Sequence, residues 1–515
     1  MFRSIFTVSG FTLMSRMLGF ARDVLIAKYL GAGATADVWV AAFRLPNLFR
    51  RIFGEGAFNA AFVPLYSGRL EEKGEEAADD LAQRTISVMF VLLMITFALA
   101  FIFMDPLIRV MSPGFVEDGR LEPAVNASRI TIGYLVFICL VAALSGVLNS
   151  RRVFGAPAFA YVVLNIVFIV ALVGVIPHTG EPLTVLCWSV LVSGLLQLLV
   201  VVVASVRRGV KLRLRKPVID DDMKKLGGLM APGLVSAGVQ QLNLIVGQAV
   251  ASLQVGGVAL IFYADRINQL PLGLLGIALG TVLLPEVTRK LRGGDEKGAQ
   301  ATLTQGMEVA LLFVLPATAA MLVIPVPIMH ALFVDGEFTF EAAREAGQVL
   351  AAFALGTPTY VLAKVLQPAY FAREDTKTPM RYTIVSAVVN MILAYPAFLW
   401  LGPTGCALAT SVAGWVNILL LWFGLRKAGF LKVTGQFVGR VSRILLASAF
   451  MGFFVWCLSN YCEPWILSDR TIFIRVGVLG GLVLAGIVTY FAAVIATRVY
   501  SPSELKRRLT KRSGS

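Results

Sequence analysis

Fourteen apolar stretches, each long enough to cross a lipid bilayer, follow one another along this 515-residue chain. An α-helix needs about 20 predominantly apolar residues to span the hydrocarbon core. The composition agrees, because 57% of the residues are hydrophobic and only 15% are charged, which is unusual for a soluble domain. We therefore predict an all-α integral membrane protein with fourteen transmembrane helices. The predicted spans are 5–30, 35–66, 85–111, 125–148, 156–176, 183–205, 226–251, 256–285, 303–325, 343–370, 382–401, 404–425, 441–460 and 472–497.

Lysine and arginine are distributed unequally between the two sets of connections that alternate along the chain. One set, together with both termini, carries 32 of the 46 basic residues, and the other set carries five. Because cytoplasmic loops are enriched in these residues, we expect both termini in the cytoplasm. The net charge of +15 is spread among apolar stretches and not gathered on a soluble module, which argues against nucleic acid as a partner.

The first 30 residues do not have the pattern of a cleavable signal peptide. They lack a short apolar region followed by a small-residue cleavage site, and they contain Arg16, Arg22 and Asp23. We therefore expect this segment to remain as the first helix.

Cysteine and histidine offer no framework for a metal or a disulfide. The five cysteines are odd in number and lie mostly inside apolar stretches, where they are typical of small core residues. The two histidines, His178 and His330, fall in short connections. We therefore expect no metal site, no cofactor and no zinc-dependent chemistry.

Nine basic residues of the predicted spans are assigned to neither set of connections. A cation at the bilayer centre costs roughly 2.5 to 3.5 kcal/mol, so nine of them cannot mostly face lipid. Lys28, Arg344 and Lys364 lie near span ends, from which a long side chain can reach the interface. The other six are predicted to line a buried polar site: Arg16, Arg22, Arg44, Arg50, Arg51 and Arg266.

Acids are scarcer than arginines inside the spans. Those available for pairing are Asp23, Asp37, Glu55 and Asp265. One interpretation is a set of structural ion pairs, Arg16 with Asp23 and Asp265 with Arg266, that lock helices together. The other is a water-filled, anion-binding cavity, because about two arginines are left unpaired. Arginine captures phosphate oxygens through two parallel N–H donors, so a diphosphate would suit several arginines together.

A weak internal repeat divides the chain into lobes. Arg44 and Pro64 are echoed by Arg266 and Pro285, at spacings of 20 and 19 residues. Six helices per repeat would make the two copies parallel, related by an axis along the membrane normal. The predicted domains are an N-lobe of helices 1–6 at 1–210, a C-lobe of helices 7–12 at 211–430, and helices 13–14 with a basic tail at 431–515.

Two polar segments lie between the spans. The basic linker from Arg207 to Lys225 is predicted to be a hinge between the lobes, and the acidic stretch from Glu71 to Asp80 a solvated cytoplasmic loop.

Several motifs carry a specific resemblance to a known family. The N-terminal motifs are SRMLGFARD at 15–23, GAG at 31–33, Asp37, and RLPNLFRRIFGEGAF at 44–58. The later motifs are YADR at 263–266, LLP at 283–285 and REDTKTP at 373–379. With the fourteen-helix plan, which covers the entire chain, they resemble the MurJ (MviN) family of bacterial lipid II flippases.

This resemblance implies a flippase and not an enzyme. Such a protein moves lipid II, the undecaprenyl-diphosphate-linked peptidoglycan precursor, to the periplasmic leaflet of the bacterial inner membrane, with lipid II and membrane lipids as its partners. The implied fold is that of the multidrug/oligosaccharidyl-lipid/polysaccharide exporter (MOP) superfamily. It has two six-helix lobes, a cationic cavity, and helices 13 and 14 as a groove for the undecaprenyl chain.

The resemblance also implies roles for individual residues. Those that would contact the pyrophosphate or the adjacent sugar are Arg16, Arg22, Arg50 and Arg266. Further cavity residues would be Asp37, Asn47, Ser15 and Arg51. The secondary candidates are Asp23, Arg44, Glu55, Asp265 and Gln269.

The sequence departs from the family pattern at two places. Many relatives carry an acid where this chain has Gln269, so a gate built on a salt bridge there is not expected. Some members hold sodium with carboxylates on helices 7, 11 and 12, but residues 380–430 contain no Asp or Glu. Asn243, Asn390 and Thr410 offer only neutral oxygens, which hold a hard cation less well. We therefore expect the membrane potential, and not a sodium site, to drive transport.

Three other functions are alternatives. A flippase for another polyprenyl-diphosphate-linked oligosaccharide would need the same charges and would differ mainly in its motifs. A drug or cation antiporter would favour acids in its cavity, which is the opposite sign. A glycosyltransferase or phosphatase needs a carboxylate pair or a nucleophile in an outer loop. In the short 326–340 connection, Asp335 with Glu337 is the only near pair, and such acids are more often a solvated turn.

Overall fold

The computed structural model describes residues 2–51, 57–213, 215–431, 434–467 and 471–499, and within these ranges the chain forms helices and connections without a β-strand. The helices are α1 (Phe2–Leu30), α2 (Ala34–Arg50), α3 (Ala57–Ile102), α4 (Met104–Met111), α5 (Leu121–Thr131), α6 (Tyr134–Ser150), α7 (Gly155–Val170), α8 (Ile176–Thr179), α9 (Pro182–Arg207), α10 (Asp221–Ala251), α11 (Gly257–Arg292), α12 (Glu296–Val323), α13 (Pro325–Phe333), α14 (Phe340–Ala354), α15 (Thr357–Phe371), α16 (Lys377–Leu401), α17 (Pro403–Lys427), α18 (Gly435–Ile466) and α19 (Ile472–Ala496).

The prediction of an all-helical membrane protein is confirmed. Among the described residues, ten helical segments are long and apolar enough to cross a membrane. The four other predicted spans fall on α1, α2, α10 and α11. Of these, α2 has 17 residues, and the described apolar part of α10 is Gln241–Ala251. The number of fourteen membrane-crossing helices stays a prediction.

Several predicted spans are built from two helices. The span 125–148 is divided between α5 and α6, and the span 343–370 between α14 and α15. The 32-residue second span contains α2, which ends at Arg50, and the start of α3 at Ala57, and residues 52–56 lie outside the described residues.

Helix α3 is too long for one crossing. Its 46 residues extend about 69 Å, roughly twice the thickness of the hydrocarbon core. The helix is interrupted at Gly74, whose φ of 80° is readily available only to glycine. The acidic stretch predicted to be a solvated loop lies on both sides of this break and is otherwise helical. It is not fully solvated, because Asp79 is only 3% exposed.

Burial of the Asp79 carboxylate is compensated by hydrogen bonds, because Asp79 lies at the centre of a polar cluster. Its carboxylate accepts hydrogen bonds from Arg151 Nη2 at 2.5 Å and from Tyr66 Oη at 3.2 Å. It also accepts one from the backbone N–H of Lys211 at 3.0 Å. The cluster therefore ties helix α3 to the end of α6 and to the linker that follows α9.

The linker predicted to be a hinge is held against α3 at further points. Arg84 pairs with Asp220, and the backbone N–H of Arg215 donates to Ser87 Oγ at 2.9 Å. Asp220 also accepts the N–H of Met223 at the start of α10. This bond and the Arg84 guanidinium lower the pKa of Asp220, so its carboxylate stays charged at neutral pH. These contacts hold the linker against α3 and therefore do not favour its bending as a hinge.

We expect Asp79→Ala to destabilise the protein by about 3 kcal/mol, because it removes the nearest carboxylate from the largely buried Arg151 guanidinium. The acceptors that remain are the more distant Glu75 at 3.4 Å and two neutral oxygens, Tyr66 Oη and the Arg208 carbonyl. Thermal unfolding in detergent would measure the change. The matched control is Asp221→Ala, which removes a fully exposed carboxylate paired with Lys224 and should leave the midpoint unchanged. Equal midpoints for the two variants would contradict the structural role of Asp79.

The chain divides into two compact units. The first comprises Met1–Ala259 and Gly336–Phe338, and the second comprises Leu260–Asp335 and Thr339–Ser515. In the first unit, α6 is buried along most of its length. In the second, side chains of α12, α15 and α17 form the centre of a large apolar core.

The two last helices are fixed to the second unit by polar contacts as well as by packing. Arg440 on α18 pairs with Glu308 on α12 at 3.1 Å, and the Glu308 side chain is only 3% exposed. On α19, Tyr490 Oη donates to the carbonyl of Leu312 at 2.6 Å. A buried, paired charge of this kind fixes the register of α18 against α12.

Candidate functional site

The first cluster of predicted site residues lies on α1 and is built around Arg22. Its guanidinium donates from Nε at 3.0 Å and from Nη2 at 2.7 Å to Oδ1 of Asp23. Both side chains are buried, with Arg22 8% and Asp23 3% exposed. Asp23 was expected to pair with Arg16, but its hydrogen-bond partner in this cluster is the adjacent arginine. The Arg22 guanidinium also lies over the ring of Phe168, 5.4 Å from its centroid.

A residue of α7 completes this cluster. Asn165 Oδ1 accepts a hydrogen bond from Arg22 Nη1 at 3.1 Å, and its Nδ2 donates to the carbonyl of Ser15 at 3.0 Å. Sequence reasoning missed Asn165, although a lone amide in an apolar stretch indicates a buried polar partner. Ser15, Arg22 and Asp23 are thus brought together, with Asn165 as the bridge.

Arg22 retains hydrogen-bonding capacity. A guanidinium has five N–H donors, and three are used by Asp23 and Asn165. Within the described part of the chain, one N–H on Nη1 and one on Nη2 have no acceptor. Two N–H donors on one guanidinium can bind the oxygens of a phosphate group.

The second cluster lies on α2. Asn47 Nδ2 donates to the carbonyl of Phe43 at 2.8 Å, and its Oδ1 accepts from Arg50 Nε at 3.2 Å. Asn47 and Arg50 are half-buried, and so is Arg44 on the same helix, whereas Arg51 is exposed. The amide therefore orients the Arg50 guanidinium one turn further along the helix.

Pro46 lies inside α2, and the carbonyl that it leaves without an intrahelical hydrogen bond has another donor. Proline has no N–H to donate to the carbonyl four residues earlier, which belongs to Ala42. That carbonyl instead accepts the hydroxyl of Thr131 on α5 at 2.8 Å. The helix that presents Asn47 and Arg50 is thereby stabilised at its proline.

Asp37, a predicted cavity residue, lies in a different environment. It is completely buried and forms an ion pair with Arg120, which is 4% exposed. Its two oxygens accept the N–H groups of Gly256 at 2.7 Å and of Ala259 at 2.8 Å, at the start of α11. A carboxylate in this position satisfies the otherwise unbonded N–H groups of a helix N-terminus.

Arg120 connects Asp37 to further elements. Its Nη2 donates to the carbonyl of Ser252 at 2.7 Å, and its Nε donates to Asp118 at 2.8 Å. Gly114 of the same connection lies so close to the Ser252 carbonyl that a side chain at this position would collide with it. Sequence reasoning placed Arg120 in the connection between the predicted spans 85–111 and 125–148. The signal that it missed was the intramembrane carboxylate of Asp37, which requires a cation nearby.

In the second unit, Asp265 and Arg266 lie on α11, and both are half-buried. The Arg266 guanidinium lies over the ring of Phe262, 4.5 Å from its centroid. Gln269 donates a hydrogen bond from Nε2 to Asp265. A neutral amide therefore bonds the Asp265 carboxylate from one helical turn further along α11.

The remaining predicted residues are placed as follows. Arg16 is exposed on α1. Glu55 lies outside the described residues. Thr410 Oγ1 is 3.3 Å from Asn390 Oδ1, and Asn390 is buried. Among the described residues, no group of three or more His, Cys, Asp or Glu side chains could hold a metal ion.

The family model described as "Lipid II flippase MurJ" matches residues 26–475, most of the chain. The chain belongs to the lipid II flippase MurJ family. A relative from Rhizobium tropici, named a probable lipid II flippase MurJ, is 41% identical over 516 residues, which cover 99% of this chain and 97% of the relative. The resemblance inferred from the N-terminal and central motifs is thus confirmed.

Solved structures agree with membership of the MurJ family. A structure described as lipid II flippase MurJ in an inward closed conformation shares 26% identity and a TM-score of 0.78, and the match covers 95% of this chain and 98% of that one. An inward-facing multidrug resistance MATE family transporter of the MOP superfamily matches with a TM-score of 0.67 at 15% identity, over 81% of this chain and 95% of that one. The second likeness shows the shared fold alone.

Proposed function

We propose that the chain moves lipid II from the cytoplasmic to the periplasmic leaflet of the bacterial inner membrane by alternating access. Family membership supports the substrate, and the Arg22 cluster supports the way in which the diphosphate is held. The proposed organisation is fourteen membrane-crossing helices with both termini in the cytoplasm. It comprises lobes at 1–210 and 211–430, and a groove for the undecaprenyl chain at 431–515.

The single observation that carries the proposal is the buried guanidinium of Arg22. Its charge is balanced by Asp23, so the pair is stable in the membrane before substrate arrives. Its two remaining N–H groups can donate hydrogen bonds to the oxygens of a phosphate group. Arg22 thus offers directional binding of the diphosphate at little electrostatic cost in the empty state.

Other arginines supply the net positive charge of the proposed cavity. Arg50 is oriented by Asn47, and Arg266 is held over an aromatic ring. Arg16 is exposed and is proposed to contact the diphosphate or the adjacent sugar. Further proposed cavity residues are Ser15, Asn47, Arg51, Arg44, Asp265 and Gln269. Asp37 and Asp23 are proposed to support arginines and not to bind the anionic substrate, since both carboxylates are buried and bonded to arginine.

Transport of lipid II breaks no covalent bond, so the binding of the substrate and the charge of the cavity determine the transport cycle. The diphosphate is drawn to the arginines while the isoprenoid chain stays in lipid. After lipid II is released to the periplasmic leaflet, the empty, positively charged cavity returns to face the cytoplasmic side. A membrane potential that is negative inside favours this return by about 2.3 kcal/mol for each charge that crosses 100 mV.

We therefore expect transport to depend on the potential. Collapse of the membrane potential with an unchanged sodium gradient should slow lipid II translocation severalfold or more. Imposing a sodium gradient at zero potential should have no effect, because Asn390 and Thr410 supply only neutral oxygens. Translocation of lipid II into the outer leaflet of proteoliposomes would measure both. Translocation that stays sodium-dependent with the potential clamped at zero would contradict this driving force.

Binding of purified protein to lipid substrates tests the proposed cargo. Native mass spectrometry would compare retention of lipid II with retention of an undecaprenyl diphosphate that carries a different oligosaccharide. We expect the chain to retain lipid II preferentially, and Arg22→Ala to weaken retention of both lipids, because both carry the diphosphate. Preferential retention of the other lipid would instead favour a flippase for that oligosaccharide.

A further inference from the structure

Asn165 is the polar side chain that reaches from α7 to the Arg22 cluster. It lies in a helix of otherwise apolar and aromatic side chains and is only 4% exposed. Burial of an unbonded amide costs several kcal/mol in an apolar medium. Asn165 avoids this cost because both ends of its amide are bonded to α1. Its position is therefore determined by α1 as much as by its own helix.

Asn165 contacts two residues that lie on one face of α1. Its amide nitrogen bonds the carbonyl of Ser15 at 3.0 Å and the hydroxyl of Ser15 at 3.2 Å, while its oxygen bonds Arg22. Ser15 and Arg22 are seven residues apart, which is two helical turns and places them on the same face. Gly19 lies between them, and its side-chain position faces the Asn165 amide at about van der Waals distance, 3.5 Å. A methyl group at position 19 would therefore be in ordinary contact with the amide.

The amide of Asn165 can orient the Arg22 guanidinium without neutralising its charge. Asp23 already balances the charge of Arg22, and a second carboxylate would make the cluster net negative. The oxygen of Asn165 is a neutral acceptor, so it fixes the guanidinium plane and leaves the net charge unchanged. With Asp23 on one side and Asn165 on the other, the plane is fixed from two directions.

We propose that Asn165 is a positioning residue for substrate binding: it orients the Arg22 guanidinium so that the two remaining N–H donors meet the lipid diphosphate. This role rests on the proposed function. Asn165 acts through Arg22 and is not proposed to touch the substrate. Without it, the guanidinium can rotate about its long side chain, and binding must then also fix its orientation.

Two substitutions separate the orientation of Arg22 from its charge. Asn165→Leu removes all hydrogen bonds of the amide with a similar branched shape, and Asn165→Asp keeps the shape while adding a negative charge. We expect Asn165→Asp to reduce lipid II retention in native mass spectrometry by about tenfold or more, and Asn165→Leu by a smaller factor. In an Arg22→Lys background, Asn165→Leu should have little further effect, since an ammonium group has no plane to orient.

The matched control is another buried amide in the same unit. Gln197 on α9 is completely buried, accepts from Tyr134 Oη at 3.1 Å and donates to the carbonyl of Ala160 at 2.9 Å. Gln197→Leu should lower the thermal unfolding midpoint as much as Asn165→Leu does, but leave lipid II retention unchanged.

The outcomes distinguish the positioning role from the proposed function. If the unmodified chain binds lipid II and Asn165→Asp binds it equally well, the positioning role is wrong and the proposed function stands. An equal loss from Asn165→Leu with Arg22 and with lysine at position 22 would also overturn the positioning role, because the effect would then not pass through Arg22. If the unmodified chain retains no lipid II, the proposed function fails, and this inference fails with it.

Discussion

Arg22→Glu is expected to abolish growth of cells in which this chain is the only lipid II flippase, with the protein still inserted at normal levels. The substitution places a carboxylate beside Asp23 in a site where Arg22 is only 8% exposed. Like charges at this distance repel each other and repel the substrate diphosphate. We expect the same result for Arg16→Glu and Arg266→Glu, whose residues are proposed to contribute to the same cationic cavity. Growth curves and membrane immunoblots would measure the effect and the protein level.

The control for this prediction is an arginine away from the site. Arg109 on α4 is about half exposed and pairs with Asp105. Arg109→Glu should therefore support normal growth. Normal growth with Arg22→Glu as the sole copy would refute the cationic site.

Arg120→Ala is expected to destabilise the protein strongly, because it leaves the Asp37 carboxylate completely buried without its cation. Removal of one partner from a buried ion pair costs about 3 to 5 kcal/mol. The two N–H groups at the start of α11 still bond Asp37, so we expect a value near the lower end. Thermal unfolding in detergent would measure the loss.

Two comparisons make this stability prediction specific. Arg109→Ala removes an exposed pair and should leave the unfolding midpoint unchanged. Asp37→Asn combined with Arg120→Leu removes both charges and should recover part of the loss. A midpoint for Arg120→Ala equal to that of Arg109→Ala would show that the buried pair does not stabilise the protein.

The sequence was sufficient to predict the helices and the membrane class. Apolar stretches of about 20 residues have few alternatives to a membrane helix, because each backbone polar group must be bonded within the chain. The sequence was less informative where a helix is interrupted, as at Gly74, or where an apolar stretch is shared by two helices. Such breaks depend on local packing, which hydropathy does not record.

The candidate site was only partly predictable for a similar reason. The excess of arginine identified Arg22 and Arg50 as candidates, but their orienting amides, Asn165 and Asn47, belong to specific contacts. Asn165 is 143 residues from Arg22 in the chain, so helical spacing cannot pair them. The same holds for Asp37 and Arg120, which are 83 residues apart. Intramembrane charge shows that a partner is required, and only the fold shows which residue it is.

Translocation of lipid II tests the central claim most directly. Cells depleted of their own flippase and expressing this chain would be treated with an external enzyme that cleaves lipid II, and cleavage would report lipid II in the outer leaflet. The account predicts cleavage with the unmodified chain and loss of cleavage with Arg22→Ala at equal protein level. Absence of cleavage with the correctly inserted, unmodified chain would contradict lipid II as the cargo.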